Sequence, residues 1–314
     1  MFEILKTKEP IAFMRYARPA SALSLLLIAL SFLGLFTKGL NWGLDFTGGT
    51  VVEVAFDQPV QLDAVRDGLV DAGLPGATVQ HFGTSRELLI RLAPQADVNV
   101  QQQGEAVLTA MTGISDSAEM KRLEFVGPSI GAELAEQGGL AILVALLCIL
   151  LYVGMRFEWR LASGAVLSLA HDVIITLGVF SWLRLEVDLT IVAALLTVVG
   201  YSLNDTIVVF DRVRENFRRL RSGTTADVFN EAITDTLSRT LITSATTLVV
   251  VVALFLKGGA LIHGFATALL LGIGFGTYSS IYIASVWAMF LGVQREHMLP
   301  PPVEKEGADQ DPLP

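Results

Sequence analysis

The sequence predicts an α-helical integral membrane protein with six spanning helices and one small α/β domain between the first and the second. Three observations carry that prediction. Of 314 residues, 52% are hydrophobic and only 17% charged, with mean hydropathy +0.57, whereas soluble domains carry about 25% charged residues. Long apolar runs recur six times, each near the length that crosses a bilayer as a helix. A single stretch, residues 40–138, breaks this series with short strand and helix patterns of its own.

The first run, Ala20–Phe36, follows Lys6, Lys8, Arg15 and Arg18, a basic flank like that of a signal peptide. The next residues, FTKGLNWGLDF, hold no small-x-small cleavage site, so an uncleaved anchor is expected. In the intervening stretch TVVEVAF (Thr50–Phe56) is β-branched after a Gly48-Gly49 turn. Leu62, Val65, Leu69 and Val70 fall at helical spacing, and Gly73 ends that helix. ATVQHF and ELLIRL flank the hairpin signal GTSR, NVQQQGEAVLTAMTG reads as a second helix, and MKRLEFV is a last strand before Gly127-Pro128. Strand–helix–strand–strand–helix–strand is the ferredoxin-like order. The remaining runs are Leu140–Met155, Leu161–Leu183, Leu189–Phe210, Leu241–Leu256 and Gly264–Val293. The expected organisation is therefore an N-terminal segment 1–19, a first span 20–39, the outer domain 40–138, spans two to six over 139–293 with a loop at 211–240, and a polar tail 294–314.

Lysine and arginine placement sets the orientation. With the N-terminus inside, the cytoplasmic segments collect 14 basic residues, while the short outer loops hold only Arg184 and Lys257. Both termini are then cytoplasmic, and 40–138 is exported. That outer stretch has 14 acids against 5 bases, and the rest of the chain balances at 17 against 17. Such acidity argues against nucleic acid as a partner. The lone Cys148 excludes an intrachain disulfide, and the scattered His81, His171, His263 and His297 offer no metal site. No P-loop or nucleophile–base arrangement appears, so no catalysed covalent reaction and no cofactor is expected.

The chemistry is expected inside the membrane. In the fourth span Thr197, Tyr201, Asn204 and Asp205 fall at i, i+4, i+7 and i+8, one stripe of a helix. Ser168, Asp172 and Thr176 step by four in the third span, with His171 beside Asp172. Arg239 opens the fifth, with Thr243, Thr246 and Thr247 on its face. Gly272, Gly276 and Ser280 in the sixth form a ridge for close helix contact. A second six-helix unit is expected to cover that ridge and the Asp205 stripe. Asp205 lies five residues before Phe210, roughly 8 Å inside the cytoplasmic boundary at about 1.5 Å per residue. A charged aspartate at a helix centre costs about 2.5–3.5 kcal/mol, and such residues mark ion paths and proton relays. Burial favours the neutral acid and a nearby arginine the carboxylate, so alternation between the two would load and release a proton. Against this stands a purely structural reading, in which Asp172 ties helices together and Arg239 snorkels to the interface. GLDFTGGT (Gly43–Thr50) reads as turn or hinge chemistry.

Taken together, GLDFTGGT after the first span, FVGPSIGAEL (Phe125–Leu134) before the second and GYSLNDTIVVFDRVREN (Gly200–Asn216) in the fourth resemble the SecF family of bacterial protein-export membrane subunits. The resemblance runs from the first span to the sixth. It implies membership of the resistance-nodulation-division superfamily and an inner-membrane location. The implied partners are SecD, the SecYEG channel, YajC and unfolded preproteins, with the proton gradient helping to complete export. It places the family's membrane carboxylate on Asp205, within the pair Asn204-Asp205, its arginine on Arg239, and its gating or hinge motif on Gly43, Asp45, Gly48 and Gly49. Asp172 matches the same general pattern. Two other readings compete. A small-molecule efflux pump of the same superfamily carries twice the spans and far larger outer domains. An intramembrane aspartyl protease using Asp172 and Asp205 calls for Gly-x-Gly-Asp, where this chain has Ser202-Leu203-Asn204 before Asp205.

Overall fold

The structure, a computed structural model, describes residues 9–93, 99–220 and 222–298. The first eight residues and the polar tail from 299 onward lie outside the described residues. Six helical segments are long and apolar enough to cross a membrane. The first is α1 (Ala17–Lys38), entered through a short 3-10 turn at Phe13–Tyr16. The others are α5 (Pro128–Arg156), α6 (Trp159–Leu183), α7 (Leu189–Arg219), α8 (Thr225–Lys257), and a last helix made of α9 (Gly259–Ser279), a π turn at Ser280–Ala284 and α10 (Ser285–Phe290).

Three of these helices, α5, α7 and α8, extend well beyond their apolar runs. α5 begins at Pro128, twelve residues before the run at Leu140, because Gly127 leaves the strand and Pro128 takes the first helical position, where its missing N–H costs nothing. The segment 211–240, expected as a loop, is helical over 211–219 and 225–240. The reason is a capping box. The Thr224 hydroxyl accepts from the Asp227 amide while the Asp227 carboxylate accepts from the Thr224 amide at 2.8 Å, which satisfies two otherwise orphaned donors.

Between α1 and α5 the chain forms β1 (Asn41–Trp42), the single turn α2 (Leu44–Thr47), β2 (Gly49–Ala55), α3 (Leu62–Asp71), β3 (Thr78–Phe82), β4 (Thr84–Leu92), α4 (Val100–Ile114) and β5 (Glu119–Val126). The four-stranded sheet runs β3-β4-β2-β5 with every neighbour antiparallel. This is the ferredoxin-like arrangement its element order predicts. Alternate strand residues Val52, Val54, Leu88 and Ile90 meet Val65 and Leu69 of α3 and Val107 and Met111 of α4 in one core.

The helical bundle is layered along its length. At the end bearing the α/β domain, Phe180, Ile191, Val198, Val251, Leu269 and Ile273 pack together, near the two-residue β6 (Glu186–Val187). At the other end Phe157, Phe210, Val213, Phe217, Phe229 and Ile233 form a second apolar cluster. The first and last described residues, around Ile11 and Met298, lie there. The Ile11 amide donates to the Thr234 hydroxyl at 2.9 Å, and Arg218 donates to the Met298 carbonyl at 3.1 Å. The ridge of small residues on the last helix packs within the chain, which corrects the expectation that a second unit covers it. A Cβ on Gly272 would collide with Val198 of α7, one on Gly276 would sit 3.0 Å from Ser202, and the Ser280 hydroxyl is 2.8 Å from Thr206.

Candidate functional site

Between the two apolar layers lies a polar one. Asp172 of α6, 1% exposed, accepts hydrogen bonds on Oδ2 from Ser202 of α7 at 2.6 Å and from Ser279 of α9 at 2.8 Å. Its Oδ1 is 2.9 Å from His171 Nδ1, and the His171 ring stacks on Tyr278 at 6.2 Å. Three helices thus meet on one carboxylate whose acceptor sites are well used. Ser168 and Thr176, expected on the same face of α6, are buried but spend their hydroxyls on backbone carbonyls of their own helix. Ser202 and Ser279 were not singled out from the sequence. Their signal was the four-residue step from Ser202 to Thr206 on a buried face, and the serine pair beside Gly276.

Asp205 is placed differently. It is 2% exposed, and its Oδ2 has no hydrogen-bond partner among the described residues. Arg239 of α8 lies close enough for charge–charge interaction with it. The expected stripe divides on folding. Asp205 turns inward, Tyr201 reaches the Ser244 hydroxyl of α8 at 3.3 Å, and Thr197 and Asn204 face outward. Ser244 in turn is 2.9 Å from Thr277 of α9. Arg239 and Thr246 are also exposed. Thr197 and Thr246 donate to carbonyls of their own helices, so Asn204 and Arg239 are the outward side chains at membrane depth to which lipid gives nothing to bond. Asp172 and Asp205 belong to one polar layer, with Asp172 saturated and Asp205 free.

The motif Gly43–Gly49 forms a junction at the domain end. β1 pairs in parallel with β6, Asn41 opposite Glu186 and Trp42 opposite Val187. The Gly43 amide donates to the Val187 carbonyl at 2.8 Å, and a Cβ on Gly43 would lie 2.9 Å from Asp188 Cβ. Asp45 Oδ2 accepts from the Leu189 amide at 2.9 Å, while Asp188 accepts from the Ile191 amide at 3.0 Å. Both carboxylates sit where the helix start favours negative charge. Gly48 adopts φ 64° and Gly49 φ 116°, values that L side chains rarely reach. A Cβ on Gly48 would also lie 3.2 Å from Pro128 Cα, at the start of α5. One further tie escaped sequence reasoning because its partners are 95 residues apart. Arg91 of β4 pairs with Glu186 and donates to the Trp42 carbonyl at 2.8 Å. Burial holds the Glu186 carboxyl above its usual range, and Arg91 offsets that only in part.

Comparison with known proteins identifies the family. Residues 106–294 match the family model "Protein export membrane protein SecD/SecF, C-terminal", and residues 33–60 match "SecD/SecF GG Motif". The protein translocase subunit SecF of Vibrio alginolyticus is 63% identical over 100% of both chains. That of Escherichia coli O157:H7 is 52% identical over 95% of this chain and 93% of its own. The crystal structure of SecDF, a translocon-associated membrane protein from Thermus thermophilus, is 40% identical with a TM-score of 0.81, covering 90% of this chain. SecDF in a super-membrane-facing form gives 0.68 over 92%. This chain spans 39% of each SecDF chain. With two family motifs, a whole-length relative and a shared six-helix architecture in agreement, the chain belongs to the SecF family of protein translocase subunits.

Proposed function

We propose that this chain is an auxiliary subunit of the Sec translocase that, with SecD, uses the proton gradient to promote preprotein export across the bacterial inner membrane. It works as one half of the coupling unit, without a covalent reaction and with protons in place of a cofactor. The observation that carries this is Asp205, a buried carboxylate with one unpartnered oxygen, within reach of Arg239 and set in a polar layer between two apolar ones. In this reading Asp205 takes the proton, Arg239 stabilises the emptied carboxylate, and Asn204 faces the partner. Asp172 holds the helices around the site in register.

The exposed polar side chains of α7 and α8 support a partner at that face, and the SecDF structures, in which this chain matches 39%, support SecD as that partner. Arginines at the termini end, among them Arg156, Arg160, Arg214 and Arg218, support a cytoplasmic placement for that end. The domain within 40–138 is then periplasmic. It lies where it could meet a preprotein leaving SecYEG, with YajC a further neighbour. A unit charge crossing the membrane gains about 2.3 kcal/mol per 100 mV, enough to bias a conformational step of a few kcal/mol. The motif Gly43–Gly49 would pass that step from α7 to the outer domain.

The test is gradient-driven export in membrane vesicles holding this chain with its SecD. An Asp205→Asn variant should assemble normally and lose the gradient-stimulated part of export. Full stimulation by that variant would refute the proton-carrier role.

A further inference from the structure

Among the described residues, five buried side-chain polar atoms have no hydrogen-bond partner. One is His171 Nε2. The other four are Asp205 Oδ2, Thr240 Oγ1, and both the amide nitrogen and the amide oxygen of Asn216. All four lie on the seam where α7 and α8 run antiparallel. Tyr201 meets Ser244, Arg212 approaches Asp235 at 3.8 Å, and Arg219 pairs with Glu231. That register puts Thr240 level with Asp205. It puts Asn216 near the far end, between the levels of Asp235 and Glu231.

Asn216 follows Asp205 by eleven residues, three turns of helix, so both share a face about 16 Å apart. It is 0% exposed. Its neighbours in the sequence, Val213 and Phe217, and the α8 residues Phe229 and Ile233 at its level all belong to the apolar cluster at the termini end. A primary amide placed there with neither atom paired is costly. Leucine would fill the same position without that cost. Two donors and two acceptor sites on an amide, with a hydroxyl nearer the carboxylate, are the groups that hold internal water.

We propose that Thr240 and Asn216 are water-holding positions on the route by which a proton leaves Asp205 toward the termini side. The proton departs from the Asp205 carboxylic acid, moves as an excess proton along hydrogen-bonded water, and ends in bulk solvent. The Asp205 carboxylate is left facing Arg239. Asn216 neither gains nor loses a proton. Its amide oxygen accepts from one water and its N–H groups donate to another, and this carries the chain of water through an otherwise apolar layer. The proposal rests on Asp205 being the proton carrier.

The test uses the full chain with its SecD in inverted membrane vesicles, with Cys148→Ser as background. Asn216→Cys should react with silver ion supplied from the termini side, as Ser222→Cys on the exposed turn between α7 and α8 does, because silver travels through water and not through a dry core. Asn216→Leu should assemble with SecD yet slow gradient-driven export roughly tenfold, the scale of one lost hydrogen-bonding station. Asn216→Ser, still polar, should recover most of the rate. An unreactive Asn216→Cys beside a reactive Ser222→Cys, or an Asn216→Leu variant at full rate, would overturn the proposal. If Asn216→Leu fails to accumulate, silver reactivity and the export rate of Thr240→Val decide, and normal export with no reactivity refutes it. Loss of coupling in Asp205→Asn with no effect at Asn216 sinks this proposal alone. No effect at Asp205 sinks the proton-carrier reading beneath it.

Discussion

The Asp45 carboxylate accepts a hydrogen bond from the backbone amide of Leu189 at 2.9 Å, and Leu189 is the first residue of the helix that carries Asp205. A loop motif and a membrane carboxylate are thereby joined through one rigid element. Sixteen residues separate Leu189 from Asp205, about 24 Å of helix. Any shift of α7 along its axis is felt at Asp45.

Removing that bond should loosen the junction without touching the proton site. Asp45→Ala is expected to cost about 1 kcal/mol, the usual worth of a carboxylate at a helix start. Asp45→Asn, which still accepts, should cost less. The check is thermal unfolding of the purified chain alongside gradient-driven export, and export should fall further than stability alone explains. Equal behaviour of Asp45→Ala and wild type in both would show that the contact transmits nothing.

Arg239 is exposed, yet close enough to act on Asp205. If it stabilises the deprotonated state, Arg239→Leu should lose gradient-driven export as Asp205→Asn does, while Arg239→Lys keeps part of it. Normal export by both would reduce Arg239 to an interfacial anchor.

The outward polar face makes a geometric prediction. In the Cys148→Ser background, cysteines replacing Thr197 and Asn204 should crosslink to the spanning helices of SecD. A cysteine replacing Leu147 on the exposed apolar side of α5 should not. Crosslinks between two copies of this chain at Thr197 would contradict the pairing.

The outer domain carries its own pH signature. Burial, then repulsion from Glu87, raises the Glu53 carboxyl above its usual range. A carboxyl that binds its proton more tightly when folded stabilises the fold at pH below its unfolded value, near 4.3. That contribution is lost as pH rises through the raised folded value. Residues 40–126 should fold alone as a soluble four-stranded unit. In urea unfolding, Glu53→Gln should gain on wild type as the pH rises from about 4 to about 7. An unchanged difference between those conditions would refute the assignment.

How far the sequence reaches can be followed residue by residue. The β-branched run at Val51–Val54 and the helical spacing of Val65 and Leu69 announced the outer domain, because a local pattern decides which face is buried. The positions of Asp205 and Asp172 were equally visible, since a carboxylate in an apolar run stands out. Their different surroundings were not. Asp172 is saturated by Ser202 and Ser279, which lie 30 and 107 residues away along the chain, and no local period encodes such a meeting. The Gly272–Gly276–Ser280 ridge was legible as a contact surface, but spacing cannot tell a partner in the same chain from one in another. Arg91 and Glu186 left no trace at all, because an isolated charge in a strand and another in a two-residue strand between spans look like ordinary surface.

The parallel pairing of Asn41 with Glu186 also constrains when the molecule can be finished. Its two members lie 145 residues apart along the chain, a length that a ribosome takes roughly ten to thirty seconds to make. For the last 60 residues of that interval the outer domain, complete at Val126, is already synthesised, while the strand it docks beside does not yet exist. The domain must therefore fold untethered and wait. Only when the third span has inserted and Glu186 follows it out can the outer domain dock, and the last three spans must still be made and packed after it.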